Sequence, residues 1–234
     1  MGPTYSPQFL LSLRNSIRSF PDANWSDSFS RGQIRSKRWL VSELVTALES
    51  GFERPNKTTS PNKPKTKLGC VYICAGWYAV LAELLCHELA HEIDFVRSFE
   101  IDSFAVKIAD ALMKHRVQEW QVKSCLMDIH QLNFRNDQLV LVRHSGETMI
   151  QPTTPHTVIN TSCEHIFNFE SWWQKIPAGI LVVAQSNNFF EHHEHVNCVS
   201  TLSDFVDQTP MSENYFSGER VLEKYTRFMR IGLK

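Results

Sequence analysis

Residues 70–75 read CVYICA and stand between Gly69 and Gly76. This short apolar run contains β-branched and aromatic residues and is bounded by glycines, a pattern typical of a strand buried on both faces. The segment that follows, from Trp77 to about His91, is predicted to be a helix. Because a buried strand followed at once by a helix is the basic unit of an α/β fold, this stretch indicates the fold class.

The same alternation continues along the chain. A second strand is predicted at 95–101, followed by a second helix at 103–114. Further strands are predicted at 123–129, 157–160, 179–185 and 225–233. We therefore expect an α/β fold with a Rossmann-like, mostly parallel sheet and helices on both faces. Residues 131–156 break the alternation and are expected to form a long insertion over the sheet.

The N-terminal part of the chain has a different pattern. Trp39, Leu40, Leu44 and Leu48 recur at helical spacing, and residues 1–50 are predicted to be helical. Residues 52–67 are rich in Pro, Asn, Thr and Lys, which is typical of a linker. The predicted organisation is an N-terminal helical extension and linker over 1–67, then a cofactor-binding catalytic domain over 68–234.

Composition excludes several classes of protein. The chain has 234 residues, 42% of them hydrophobic, and a formal net charge of -1, so a core can form and a strongly basic nucleic-acid-binding protein is excluded. There is no CxxC pair among its cysteines, and no apolar run has the length of a membrane span or a secretion signal. We expect a cytoplasmic protein with reduced thiols and no membrane partner, and the oligomeric state stays open.

The residues that follow each predicted strand are candidates for a binding site, because ligands of open parallel sheets bind beyond the carboxyl ends of the strands. A glycine there permits a tight turn, and a carboxylate can accept both hydrogen bonds of a ribose diol. The candidates, in strand order, are Ala75, Gly76, Trp77 and Tyr78; Glu100 and Asp102; Asp128; Asn160, Glu164 and His165; Asn187 and Asn188.

The order of these features resembles the class I S-adenosylmethionine-dependent methyltransferases over residues 68–234. The phrases CAGWY, RSFEID, INTSCEHI and QSNNFF also resemble a branch of that family found in phage-type genomes. The resemblance implies S-adenosylmethionine as the cofactor. Gly76 would line its methionine end, Glu100 or Asp102 would hold the ribose, and Asp128 would contact the adenine. The usual turn has two or three glycines, and here only Gly76 remains.

The resemblance also implies methyl transfer to a polar small molecule or a nucleic acid. The segment from Asn160 to Glu164 would face the transferred methyl group. Glu164 and His165 are the candidates for a catalytic base, which is needed only if the acceptor arrives protonated. Asn187 and Asn188 would hold a polar acceptor through their amides.

Two other functions stay open. Residues 87–91 read HELAH, the HExxH pattern in which two histidines on one helix face bind zinc. In that zinc peptidase His87, His91 and either Glu100 or Asp102 would be the ligands. A non-catalytic nucleotide-binding module would keep the same fold without the chemistry.

Two charged clusters lie outside these motifs. Residues 191–195 read EHHEH, and for His192, His193 and His195 the sequence favours a solvated loop over a metal site. The second cluster contains Arg31, Arg35, Lys37 and Arg38. It favours a solvated face and leaves a nucleic-acid acceptor possible.

Overall fold

The computed structural model describes residues 6–50, 67–135, 137–143 and 145–234. Within these ranges, nine strands form a seven-stranded sheet and a separate two-stranded hairpin. They are β1 Gly69–Cys74, β2 Ile93–Glu100, β3 Val122–Leu126, β4 Asp137–Val142, β5 Thr148–Thr153, β6 Thr157–Asn160, β7 Leu181–Asn187, β8 Glu213–Val221 and β9 Thr226–Leu233. The sheet order is β3-β2-β1-β6-β7-β9-β8, with β9 antiparallel to both neighbours and the first five strands parallel. The predicted Rossmann-like fold class is confirmed.

The central strand β1 explains why its sequence is a continuous apolar run. It pairs with β2 on one side and β6 on the other. Val71 and Ile73 belong to one hydrophobic core, whereas Cys70, Tyr72 and Cys74 belong to the core on the opposite face. Because successive side chains of a strand point to opposite faces, a strand covered on both faces needs apolar residues at every position.

Helices cover both faces of the sheet. They are α1 Pro7–Ser19, α2 Trp25–Ser28, α3 Arg31–Glu49, α4 Val80–Glu88, α5 Ser103–Leu112, α6 Lys114–Val117, α7 Phe169–Lys175 and α8 Leu202–Gln208. The first core contains side chains of α1, α3, α4 and α5, and the second contains side chains of α7 and α8. Local capping defines the starts of several helices: the Ser30 hydroxyl accepts from the Gln33 amide at the start of α3.

The N-terminal helices share one core with the sheet. Phe9, Leu40 and Leu44 are fully buried and lie in the same cluster as Val71 and Ile73 of β1. The helical extension is confirmed over the described residues, and one core spans both sides of the predicted boundary after residue 67. The predicted linker lies outside the described residues except for Lys67.

The predicted boundaries of helix α4 and strand β3 are wrong. Helix α4 begins at Val80 rather than Trp77, because residues 75–79 form a turn with left-handed backbone angles. The same helix ends at Glu88, and residues Ala90–Glu92 form a separate 3-10 turn. Strand β3 ends at Leu126 rather than 129, because the Asp128 side chain accepts from the His130 amide and starts another 3-10 turn.

Two strand regions were missed. The segment 131–156 contains the β4–β5 hairpin, whose Leu139 and Leu141 pack in the second core and so place it over the sheet. Strand β8 was not predicted, because its sequence ENYFSGERV is mostly polar and exposed. It lies at the edge of the sheet and pairs with β9, where a polar, exposed strand is tolerated.

All six cysteines are free, and Cys70, Cys74, Cys86 and Cys163 are buried. A buried thiol packs as a small apolar group. Among the described residues, there is no helix of sufficient length and apolarity to cross a membrane.

The pairing of β8 with β9 can be tested at Gly232. A Cβ there would lie 2.1 Å from the backbone oxygen of Glu213 and 2.6 Å from the Met211 sulfur. Gly232→Ala must separate the two strands locally, and we expect a loss of about 1–3 kcal/mol, visible as a Tm lowered by several degrees in thermal unfolding. Gly32→Ala is the matched control, because the nearest atom to its Cβ is 3.8 Å away. An unchanged Tm for Gly232→Ala would contradict this strand register.

Candidate active site

The turn after β1 has an unusual backbone. Ala75, Trp77 and Ala79 have φ of 55°, 47° and 57°, the left-handed region that glycine adopts without strain. For other residues this conformation costs about 1–2 kcal/mol each. Between them, Gly76 lies so close to β2 that a Cβ would meet the Ser98 hydroxyl at 1.9 Å. A turn with one glycine therefore keeps left-handed angles at three other positions, and strain of this kind concentrates at functional sites.

The Glu100 side chain holds this turn in place from the end of β2. Its Oε2 accepts a hydrogen bond from the Trp77 amide at 3.0 Å, and its Oε1 accepts from the amides of Ile101 and Asp102 at 2.8 and 3.2 Å. The Gly76 amide donates to the Phe99 carbonyl at 3.0 Å. The loop after β1 and the loop after β2 are thereby joined through one carboxylate.

A cavity of about 1200 Å³ lies at the carboxyl ends of the parallel strands. Its wall includes most of the residues that the sequence singled out. These are Ala75, Gly76, Trp77, Tyr78, Glu100, Asp102, Asp128, Glu164, His165 and Asn187. Asp102 also accepts from the Phe104 amide at 2.8 Å, and Asp128 accepts from the His130 amide at 2.8 Å. These hydrogen bonds fix both carboxylates in the cavity wall.

Asn160 and Asn188 do not line the cavity. The Asn160 side-chain oxygen accepts from the Ser162 amide at 2.8 Å, and the residue is fully buried. The Asn188 side-chain oxygen accepts from the Thr226 amide at 2.8 Å. Both side chains therefore shape the loops after β6 and β7, rather than contact the cavity as the sequence predicted.

Glu164 is the centre of a buried polar network on the other side of the cavity. Its Oε1 accepts from the Arg227 guanidinium and from the Asn187 amide group, each at 2.6 Å. Arg227 also donates to the Ser36 hydroxyl at 3.2 Å, and Ser36 donates to Gln185 at 3.0 Å. Glu164 Oε2 is buried and has no hydrogen-bond partner among the described residues. One carboxylate oxygen is thus anchored while the other is unused.

The histidine-rich segment 191–195 forms part of the cavity wall. His192, Glu194 and His195 line it, whereas the side chain of His193 is 85% exposed. His195 Nδ1 lies 2.7 Å from the Phe189 carbonyl, and the rings of His165 and His195 are perpendicular with centroids 4.6 Å apart. The segment is a loop, as the sequence predicted, but His192 and His195 are half-buried rather than fully solvated. Partial removal from water lowers the pKa of His165, whereas the charge of Glu164 opposes this shift.

The HExxH segment does not form the helical arrangement that a zinc peptidase needs. His87 lies in the last turn of α4, but His91 lies in the separate 3-10 turn, and neither lines the cavity. Among the described residues, the ligand atoms of His87, His91 and Glu100 do not converge as those of a metal site do.

Solved structures share this architecture. The N-methyltransferase NodS from Bradyrhizobium japonicum WM9, in complex with S-adenosyl-L-homocysteine, aligns with a TM-score of 0.54 at 9% identity, over 97% of this chain and 99% of that chain. The chain has the same Rossmann-like fold as this structure. A geranyl diphosphate methyltransferase in complex with GPP and sinefungin aligns with a TM-score of 0.55 at 6% identity, over 85% of this chain and 78% of that chain.

Other comparisons add less. A structure from Galdieria sulphuraria aligns with a TM-score of 0.45 at 9% identity, over 66% of this chain, and the chain spans 48% of that protein. No protein-family model and no curated protein matches the sequence. At these identities the likeness to methyltransferases concerns the fold, and the narrower resemblance to a phage-type branch stays a prediction.

The sequence did not predict all the polar residues around this cavity. Arg227 comes from β9 and lines the cavity, and Ser36 of α3 contacts Arg227 from behind the cavity wall; both are far from Glu164 in the chain. The basic cluster at residues 31–38 was the one available signal, and Arg31, Arg35 and Lys37 do line the cavity. Arg31 pairs with Glu223 at 3.5 Å on the surface.

Lys37, in the cavity wall, has a strongly shifted pKa. Its pKa is lowered to about 7, mainly by desolvation and also by the charge of Arg227, and the charges of Asp27 and Glu164 oppose this shift. In the unfolded chain Lys37 keeps its ordinary pKa of 10.5. The penalty for burying the ammonium group is therefore complete below about pH 7 and disappears as the pH rises towards the unfolded value.

This linkage predicts a pH-dependent effect of one substitution. We expect Lys37→Gln to raise Tm relative to the wild type at about pH 6, because it removes a poorly hydrated charge, and the gain should shrink as the pH rises to about 9. Thermal unfolding across this range measures the difference. Lys107→Gln, on the exposed side of α5, is the matched control. A Tm difference for Lys37→Gln that does not vary with pH would contradict the shifted pKa.

Proposed function

We propose that the protein transfers a methyl group from S-adenosylmethionine to a polar acceptor. One observation carries the proposal: a single cavity at the carboxyl edge of the parallel sheet gathers the strained turn after β1 and the acidic side chains that follow β2 and β3. Two solved methyltransferases of the same fold support it, one in complex with S-adenosyl-L-homocysteine and the other with sinefungin.

The cavity wall has the chemistry that this cofactor requires. Its volume of about 1200 Å³ is sufficient for a nucleoside with an amino-acid side chain. An ionised carboxylate has about four acceptor sites, and the Glu100 carboxylate uses three of them for backbone amides. We assign the remaining capacity of Glu100, together with Asp102, to the ribose hydroxyls. We assign Asp128 to the adenine amino group and the turn at Gly76 to the methionine end.

The opposite side of the cavity is assigned to the acceptor. When bound, S-adenosylmethionine supplies an electrophilic methyl group on a sulfonium, so the protein mainly has to align the acceptor with it. Arg227 and Asn187 hold Glu164 Oε1, and Oε2 has no hydrogen-bond partner among the described residues, so it remains available to activate the acceptor. His165 lies beside Glu164 and completes this side. We assign Glu164 and His165 to activation of the acceptor.

The acceptor is a polar small molecule or a nucleic acid. Arg31 and Arg35 line the cavity together with Lys224, and these cationic side chains favour an acceptor with anionic groups. Nucleic acids carry anionic groups, and so do many polar small molecules.

Calorimetric titration with S-adenosylmethionine and S-adenosylhomocysteine tests the proposal. We expect one site per chain in the wild type. Glu100→Gln and Asp128→Asn should each weaken binding by about tenfold or more, because a hydrogen bond to a charged group contributes about 1.5–3 kcal/mol. Asp128→Asn keeps an oxygen for the His130 amide, so its loss of affinity separates cofactor binding from a change in folding.

Glu88→Gln is the matched control for this titration. Glu88 is exposed at the end of α4 and does not line the cavity, although it is the central acid of the HExxH segment. We expect Glu88→Gln to bind the cofactor as the wild type does. The proposal fails if the wild type binds neither compound, or if all three variants bind with the same affinity as the wild type.

A further inference from the structure

Three side chains on the acceptor side of the cavity bring metal-ligating atoms together. Glu164, His165 and His195 each offer one ligand atom, and these atoms all lie within 4.8 Å of one another. They come from two separate segments, the 3-10 turn after β6 and the loop after β7. Each ligand atom of a bound ion lies about 2 Å from it, so the three ligand atoms must come closer together by about an ångström. One histidine ring is exposed and the other half-exposed, and both can move that far.

The carboxylate of this group is prepared for a ligand. Glu164 is 3% exposed, and Arg227 and Asn187 both contact its Oε1. Its Oε2 is buried without a hydrogen-bond partner among the described residues, which costs free energy unless a ligand satisfies it. A buried carboxylate with one unpartnered oxygen, beside two imidazoles, is what a cation site without its cation presents.

The second histidine has the supporting contact typical of metal ligands. His195 Nδ1 lies 2.7 Å from the Phe189 carbonyl, and a carbonyl oxygen can only accept, so Nδ1 carries the proton. The lone pair of the ring is then on Nε2. A histidine that ligates a metal usually donates its other N–H to a carbonyl or carboxylate, which fixes the tautomer and the orientation of the ring.

The donor set selects the kind of ion. Two imidazole nitrogens and one carboxylate oxygen suit first-row divalent transition metals, whereas Mg²⁺ and Ca²⁺ prefer sites made of oxygen ligands. Three protein ligands leave at least one coordination position for another molecule. The charge of Arg227 opposes a cation here, and the charges of Glu164 and Glu194 offset it.

We propose that Glu164, His165 and His195 bind a divalent transition-metal ion whose open coordination position faces the cavity. The site itself does not depend on the proposed methyl transfer. Its use does rest on that function: a bound ion would hold an oxygen or nitrogen atom of the acceptor and lower the pKa of that group, which is how Glu164 and His165 would activate it.

Metal titration of the chelator-treated protein tests the site directly. We expect one Zn²⁺ per chain by calorimetry, a Tm that rises with Zn²⁺, and a visible absorption band when Co²⁺ binds. His195→Ala and His165→Ala should each weaken Zn²⁺ binding by about tenfold or more and abolish the Co²⁺ band. His165 is exposed and His195 half-buried, so both variants are expected to fold, and circular dichroism checks this.

Two histidine variants serve as matched controls. His193→Ala removes an exposed histidine from the same loop, and His87→Ala removes one from the HExxH segment. Both should bind Zn²⁺ as the wild type does. The proposal is overturned if the wild type binds neither Zn²⁺ nor Co²⁺, if His87→Ala loses the ion while His195→Ala retains it, or if Mg²⁺ binds more tightly than Zn²⁺.

The outcome is separable from that of the cofactor titration. S-adenosylhomocysteine binding in the presence of chelator together with no metal binding would contradict the metal site and leave the methyltransferase proposal intact. Zn²⁺ binding that depends on His165 and His195, without cofactor binding, would support the metal site and contradict the methyltransferase proposal.

Discussion

The carboxylate of Glu100 joins the two loops on which the cavity depends. It accepts hydrogen bonds from the Trp77 amide in the loop after β1 and from the Ile101 and Asp102 amides in the loop after β2. The φ of Trp77 is itself left-handed. Left-handed angles at non-glycine residues cost about 1–2 kcal/mol each, and hydrogen bonds to a charged group return about 1.5–3 kcal/mol. These hydrogen bonds therefore hold the turn after β1, which contains one glycine, in place as part of the cavity wall.

A second constraint operates on the opposite wall. Glu164 and Arg227 form a buried ion pair, and Ser36 connects Arg227 to helix α3. Removing two charges from water costs several kcal/mol, so a buried pair is a poor source of stability. Here the ion pair fixes Glu164 Oε1, whereas Oε2 has no hydrogen-bond partner among the described residues and is available to a ligand. The N-terminal helices belong to the same core as the sheet, and through Ser36 and Lys37 they also belong to the site.

The sequence predicted the features that depend on local pattern. The apolar run of β1 and the alternation of strands and helices predicted the mostly parallel sheet. The rule that ligands bind beyond the carboxyl ends of strands predicted that Gly76, Glu100 and Asp128 lie at one site, and all three line the cavity. Strand β8 was missed because an exposed edge strand has no apolar alternation to detect. The HExxH spacing suggested a zinc site only on the assumption of a continuous helix, whereas α4 ends before His91.

Long-range contacts explain the rest of what the sequence could not predict. Arg227 is 63 residues from its partner Glu164, and no local pattern indicates that pairing. The segment 191–195 has the composition of a solvated loop, yet the course of the chain after β7 brings His195 to His165. The strand order decides which loops are neighbours, so contacts between their side chains cannot be predicted before that order is known.

A crystal structure of the protein with saturating S-adenosylhomocysteine tests the central claim most directly. The account predicts density for the ligand in the cavity, with the ribose at Glu100 or Asp102, the adenine at Asp128, and the sulfur on the side of Glu164 and His165. Density for the ligand elsewhere on the protein, or an empty cavity at a saturating concentration, would contradict it.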